Sequence, residues 1–226
     1  ILSAIHQVLF FVLPASMLFI VLRIPVVRLV FGANRFDWEA TVLTGMTLSM
    51  FSLSLFAQSV AQILARAFYA LYDSKTPVVI GIISVAINSV LSIVFISYMH
   101  LPVWSLGLST SVASIFNMML LLVLLDRRVG AFSRFELFMP PLKMILVCVV
   151  TGIALYIPLK LLDQLVFDTT RTFGLFLLTG FTSAVGMSTY MFLSWLLGVS
   201  EVQSFLKLLG KFRRARTILL EPASEV

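Results

Sequence analysis

Charge is what this chain most lacks. Of 226 residues, 12% are charged and 60% hydrophobic, where a soluble domain carries about 25% charged residues. With a mean hydropathy of +1.08, that balance excludes an ordinary water-soluble fold. From Thr76 to Leu125 no side chain carries a formal charge, a stretch more than twice the roughly 20 apolar residues that one transmembrane helix requires. Cysteine is nearly absent too: Cys148 stands alone in an apolar run, so the chain cannot build an internal disulfide or a thiolate metal site. No acidic residue lies well inside an apolar segment and Arg66 is the one cation set in from the ends of one, which argues against buried-carboxylate proton relays and voltage sensors. His6 and His100 have no acidic neighbour, no serine sits in a nucleophile elbow, and no phosphate-binding glycine loop or acidic metal cluster occurs. These absences point away from an enzyme and imply no cofactor.

What is present is a series of apolar segments. Six spans are expected, at about residues 4–22, 40–72, 76–99, 102–125, 142–162 and 172–198. The fold class is therefore an all-α integral membrane protein. The first span stops where Arg23 meets Pro25, and residues 26–32 are too short to cross and are expected along the interface. Asp37 is placed to cap the second span, which is long enough that it must tilt, bend or protrude. Thr76 and Pro77 read as cap and first helical position of the third span. A short connection through His100 makes spans three and four an antiparallel hairpin, with Trp104 as an interfacial anchor. Pro140 and Pro141 precede the fifth span, whose Lys143 and Lys160 are placed to snorkel. Because Ile1 enters an apolar stretch directly, without a basic leader, we expect a piece of a longer protein.

The net charge of +6 would suggest nucleic acid in a soluble protein. Here the basic residues flank apolar stretches, so the partner implied is membrane lipid and not nucleic acid. With Arg66, Lys143 and Lys160 counted with the turns they adjoin, lysines and arginines number eleven after spans two and four and in the tail, against five after spans one, three and five. The positive-inside rule then makes both termini cytoplasmic. Residues 201–226 are expected to begin with a basic amphipathic helix on the inner leaflet, alternating Phe205, Leu206 and Leu209 with Lys207, Lys211 and Arg213.

Three consecutive spans carry uncharged polar stripes at helical spacing: Thr47, Ser54, Gln58, Gln62 and Arg66; Gly81, Ser84, Asn88 and Ser92; Gly107, Ser111, Ser114 and Asn117. Small and hydroxylated residues let membrane helices approach closely and hydrogen-bond across the contact. Amides are costlier to leave unpaired in hydrocarbon, so Gln58, Gln62, Asn88 and Asn117 stand equally for packing contacts or for the lining of a wet cavity. Arg66 reads as a snorkelling residue or, alternatively, as a phosphate-binding group at the inner surface.

The stretch Arg66-Ala-Phe-Tyr-Ala-Leu-Tyr-Asp-Ser-Lys-Thr-Pro77, leading into a helix with Asn88, resembles a segment of the bacterial lipid II flippase family (MurJ, also called MviN). Leu13-Pro14-Ala15, Phe31-Gly32, Gly107-Leu-Ser109 and the basic linker after span four agree with the second half of that family. The resemblance implies a fourteen-span fold of the MOP superfamily, similar to the MATE transporters. Spans one to four would belong to its second lobe, at residues 1–128. Residues 129–200 would hold a linker and two additional groove-forming helices.

It further implies translocation of undecaprenyl-pyrophosphate-linked peptidoglycan precursor across the bacterial inner membrane, with the other lobe as a partner. Gln58, Gln62, Asn88 and Asn117 would face the cavity and Arg66 its cytoplasmic mouth. Asn88 fits the first position of a sodium site found in some members, and Ser92 stands where an acidic residue would follow. Coupling would then come from a monovalent cation or the membrane potential. The rival readings are a polysaccharide, O-antigen or multidrug exporter of the same superfamily, which would need no groove pair, and a membrane scaffold.

Overall fold

The computed structural model describes residues 1–31, 37–130, 134–165, 172–199 and 201–202, and all its regular elements are helical. In chain order they are α1 (Leu2–Val21), α2 (Arg23–Phe31), α3 (Trp38–Ser52), α4 (Leu55–Ala70), α5 (Lys75–Ile93, continued by a π-helical turn Val94–Tyr98), α6 (Ser105–Val129), α7 (Arg134–Leu165) and α8 (Thr172–Leu196). Among the described residues six helical stretches are long and apolar enough to cross a membrane, with α3 and α4 counted as one. The chain is thus an all-α membrane protein with six candidate spans.

The second span bends, and the sequence explains where. Thr47, Ser49 and Ser52 each turn a hydroxyl back onto the carbonyl four residues earlier, a bond that competes with the helix ladder and favours bending. The ladder gives way at Leu53 and Ser54. The Ser54 amide bonds to Phe51 O at 2.9 Å instead of Met50 O, and Ser54 Oγ donates to that same Phe51 carbonyl at 2.6 Å. The Met50 carbonyl left over accepts from Ser111 Oγ of α6. In lipid every backbone polar group needs an internal partner, so a serine on the neighbouring helix completes the bend.

Gly107 allows that approach. A Cβ there would lie 2.8 Å from Met50 Cβ and 2.9 Å from Thr47 O.

Several boundaries differ from the sequence reading. Asp37 precedes α3 as expected, but its carbonyl, not its carboxylate, takes the Thr41 amide and hydroxyl, each at 2.9 Å. The segment after α1 forms α2, which starts at Arg23 because a proline in a first turn lacks only an amide that has no helical partner there. α7 begins six residues before Pro140, so both prolines fall inside its first turns. α8 ends near the expected Gly198, which takes φ +66 while the Val199 amide reaches back to Ser194 O at 3.0 Å. The expected basic tail lies outside the described residues apart from Glu201 and Val202, which are helical.

α1 packs on α3 and α4 on one side and on α7 on the other, while α7 and α8 pack together. The core runs through α1 (Leu9, Phe10), α4 (Leu64, Phe68), α6 (Leu125) and α7 (Met144). Gly152 on α7 gives α1 its seat: a Cβ there would coincide with the end of the Met17 side chain.

Candidate functional site

α4 is the most two-faced of the helices. Its Ala57, Val60, Ala61, Leu64, Ala67 and Phe68 are buried, and the 3.6-residue period puts Gln58, Gln62, Arg66 and Tyr69 on the other side, all exposed. A hollow of about 300 Å³ opens beside this side. Gln58, Gln62 and Tyr69 line it from α4, Pro77 from α5 and Asn117 from α6. Gln58 Nε2 donates to Ser54 Oγ at 2.7 Å, which ties the hollow to the bend. Asn117 Oδ1 is buried and accepts no hydrogen bond from the described residues. The hollow therefore presents amides and a phenol within an apolar span, groups that hydrogen-bond hydroxyls and phosphate oxygens.

Of the residues singled out in the sequence, three meet at this hollow. Arg66 is exposed on α4 but outside its lining. Asn88 and Ser92 lie elsewhere, in the contact between α5 and α6. Ser92 Oγ donates to Asn88 Oδ1 at 3.4 Å and shares a 2.7 Å hydrogen bond with Ser109 Oγ. One further turn back, Ser84 Oγ donates to Ala113 O at 3.3 Å. This stripe joins two helices, as small polar residues do in membranes. Tyr69 was not anticipated, although it sits seven residues after Gln62 and so on the same side of α4.

The turn before α5 explains the most motif-like stretch of the sequence. Asp73, not Thr76, caps α5: its Oδ1 accepts the amides of Lys75 and Thr76, each at 3.1 Å, and Oδ2 accepts the Thr76 hydroxyl at 2.6 Å. Arg128 Nη1, at the end of α6, reaches Oδ2 at 2.6 Å while its guanidinium lies 5.8 Å from the Phe68 ring centre. α4, α5 and α6 are so clasped at one end. Tyr72 takes φ +57 just before, closing α4 with the Asp73 amide on Phe68 O at 3.0 Å.

These bonds hold the Asp73 carboxyl below its ordinary pKa of 3.8; the Thr76 hydroxyl contributes most, its amide next, and Arg128 less. A depressed folded-state pKa means that the clasp is fully formed above about pH 4 and is lost as pH falls below that through the folded value. Hydrogen exchange at Lys75 and Thr76 is therefore expected to quicken severalfold, relative to the intrinsic rate, in Asp73→Ala at neutral pH. In the native protein the same change is expected only in acid, and equal protection in both proteins would remove Asp73 from this role.

The family model described as lipid II flippase MurJ matches residues 1–205. The chain is 27% identical over 195 residues to the probable lipid II flippase MurJ of Bdellovibrio bacteriovorus, covering 86% of this chain and 36% of that protein. To the probable lipid II flippase MurJ of Rhizobium tropici it is 34% identical over 125 residues, 55% of this chain and 23% of the relative. To the lipid II flippase MurJ of Thermosipho africanus it is 28% identical over 120 residues, 53% of this chain and 25% of the relative. The matched stretch thus spans about a third or less of these relatives. With nine-tenths of its length under the family model, the chain belongs to the lipid II flippase MurJ family.

Proposed function

We propose that the protein containing this chain carries lipid II from the cytoplasmic to the outer leaflet of the bacterial inner membrane, as a transporter and not a catalyst. A charged, hydroxyl-rich headgroup cannot cross about 30 Å of hydrocarbon unaided, because its polar groups would lose their water. A polar path through the protein removes that cost. The observation that carries this reading is the meeting of Gln58, Gln62 and Asn117 at one hollow inside apolar spans. In this reading the hollow belongs to the headgroup path, with Arg66 near its cytoplasmic mouth, and two lobes rock about it in turn.

α1 to α6 form the second lobe, and α7 and α8 form a groove for the lipid tail. The partner of this piece is the first lobe of the same protein. Both termini of the piece are cytoplasmic, as the eleven-to-five distribution of basic residues supports. The driving force is a monovalent cation or the membrane potential. Asn88 and Ser92 offer only neutral oxygens to an ion.

Restoring growth and outer-surface lipid II in a flippase-depleted bacterium with the full-length protein tests the activity. A well-expressed protein that restores neither would refute the reading. Thiols placed at positions 58 and 62 are expected to react with aqueous reagents, and a thiol at position 84, buried against α6, is expected not to. If positions 58 and 62 stay unreactive in every state, the hollow is a closed packing contact.

A further inference from the structure

A second hollow, of about 210 Å³, opens where α7 begins and the chain leaves α8. Phe135, Met139, Pro140 and Lys143 line it from α7, and Glu201 from beyond α8. Lys143 is exposed, whereas the Glu201 side chain is only 10% exposed, its Oε1 lying 3.7 Å from Nδ1 of the equally buried His6 of α1. The turn at Gly198 sets this arrangement by folding the chain back so that Val199 and Val202 join the core. A largely buried carboxylate and an exposed ammonium thus share one small cavity at the start of α7. Below it Leu142, Ile145, Leu146, Val149 and Ile153 leave the side of α7 apolar and, among the described residues, uncovered.

We propose that this hollow binds the headgroup of a zwitterionic phospholipid bearing a primary ammonium, of the phosphatidylethanolamine type. Lys143 Nζ takes the phosphate and the Glu201 carboxylate accepts hydrogen bonds from the ammonium, both charge-assisted. The acyl chains lie along the uncovered apolar side of α7. The chemistry selects among lipids. A purely anionic headgroup would set its charge against Glu201, and a quaternary ammonium has no N–H to donate. At about 210 Å³ the hollow falls below the usual range of drug-sized pockets, about 300 to 1,000 Å³, and suits a headgroup. The site stands apart from the Gln58 hollow and does not depend on the transport reading.

Native mass spectrometry of the full-length protein, offered phosphatidylethanolamine, phosphatidylcholine and phosphatidylglycerol in equal amounts, tests this. Retained phosphatidylethanolamine is expected to exceed each of the others by about tenfold, the worth of one charge-assisted hydrogen bond. Glu201→Gln is expected to erase that preference, whereas Lys143→Gln, at an exposed side chain, is expected to lower retention of all three lipids severalfold, because each carries the phosphate. The double exchange Lys143→Glu with Glu201→Lys is expected to recover part of the preference. Equal or greater retention of phosphatidylglycerol, a preference that survives Glu201→Gln, or retention unchanged by Lys143→Gln would overturn the proposal. Because Glu201→Gln also loosens the contact to His6, the retention of all three lipids by Lys143→Gln decides if Glu201→Gln proves unstable.

Discussion

Gly107→Val is expected to lower the thermal midpoint of the full-length protein more than any other single change considered for this chain. The hydrogen that Gly107 carries in place of a side chain faces Met50 Cβ, Thr47 O and the Phe51 amide nitrogen, and a Cβ would stand 2.8, 2.9 and 3.2 Å from them. Two of those three atoms are backbone, so no rotamer change relieves the contact. Overpacking costs about 1 to 3 kcal/mol where side chains can yield; here the cost should reach the upper end or exceed it, about 3 kcal/mol or more.

The damage also spreads. Pushing α6 away withdraws Ser111 from the Met50 carbonyl, leaving an unpaired acceptor in hydrocarbon. Gly107→Ala should show a smaller loss in the same direction. The check is the unfolding midpoint in detergent, and a valine variant with a native midpoint would mean that α6 stands farther from the bend.

Asn117→Leu is expected to separate stability from activity. Asn117 Oδ1 is buried without a hydrogen-bond donor among the described residues, a situation that costs about 1 to 3 kcal/mol for a typical polar group. An apolar side chain of similar size removes the penalty, so the variant should unfold at an equal or higher temperature. If the hollow holds part of a polar headgroup during transport, the same change removes a hydrogen-bonding group from it and should slow flipping by about tenfold. Midpoints and outer-leaflet lipid II would be measured on the same preparation. A variant that is stabilised but fully active would take Asn117 off the headgroup path, and a destabilised one would mean that its Oδ1 is paired.

Much of this architecture could be read from the order of residues because hydrocarbon permits so few solutions. Uninterrupted apolar runs had to be helices, and Pro25, the Asp73 to Pro77 turn and Gly198 punctuated them near where the helices end. The bend at Leu53 and Ser54 was harder to see. Length alone said that span two could not run straight and perpendicular, whereas the location depended on Thr47, Ser49 and Ser52 bonding to their own backbone. That tendency is visible in composition, but its outcome depends on α6 supplying Gly107 and Ser111.

The polar stripes show the same limit. Gln58, Gln62, Asn88 and Asn117 were indistinguishable by chemistry, yet Asn88 pairs with Ser92 within the α5 and α6 contact while the others border open space. Which side of a helix meets a neighbour is a property of packing, and periodicity fixes only that the side exists. The cap at α5 was assigned to Thr76 for a similar reason. Both residues are good cap formers, and the reach of Arg128 to Asp73 comes from a helix about fifty positions away.

α1 has contacts on two sides that belong to different parts of the chain. Phe10 lies in the core with Leu64 and Phe68 of α4 and also meets the Tyr190 ring of α8 with centroids 5.4 Å apart, and Met17 fills the space over Gly152. A helix shared in this way ties the two groups of helices together through one set of side-chain contacts. If the helices around α4 swing as the proposed transport requires, these contacts draw the last two helices along with them, and a lipid tail resting against those two would then ride as a passenger.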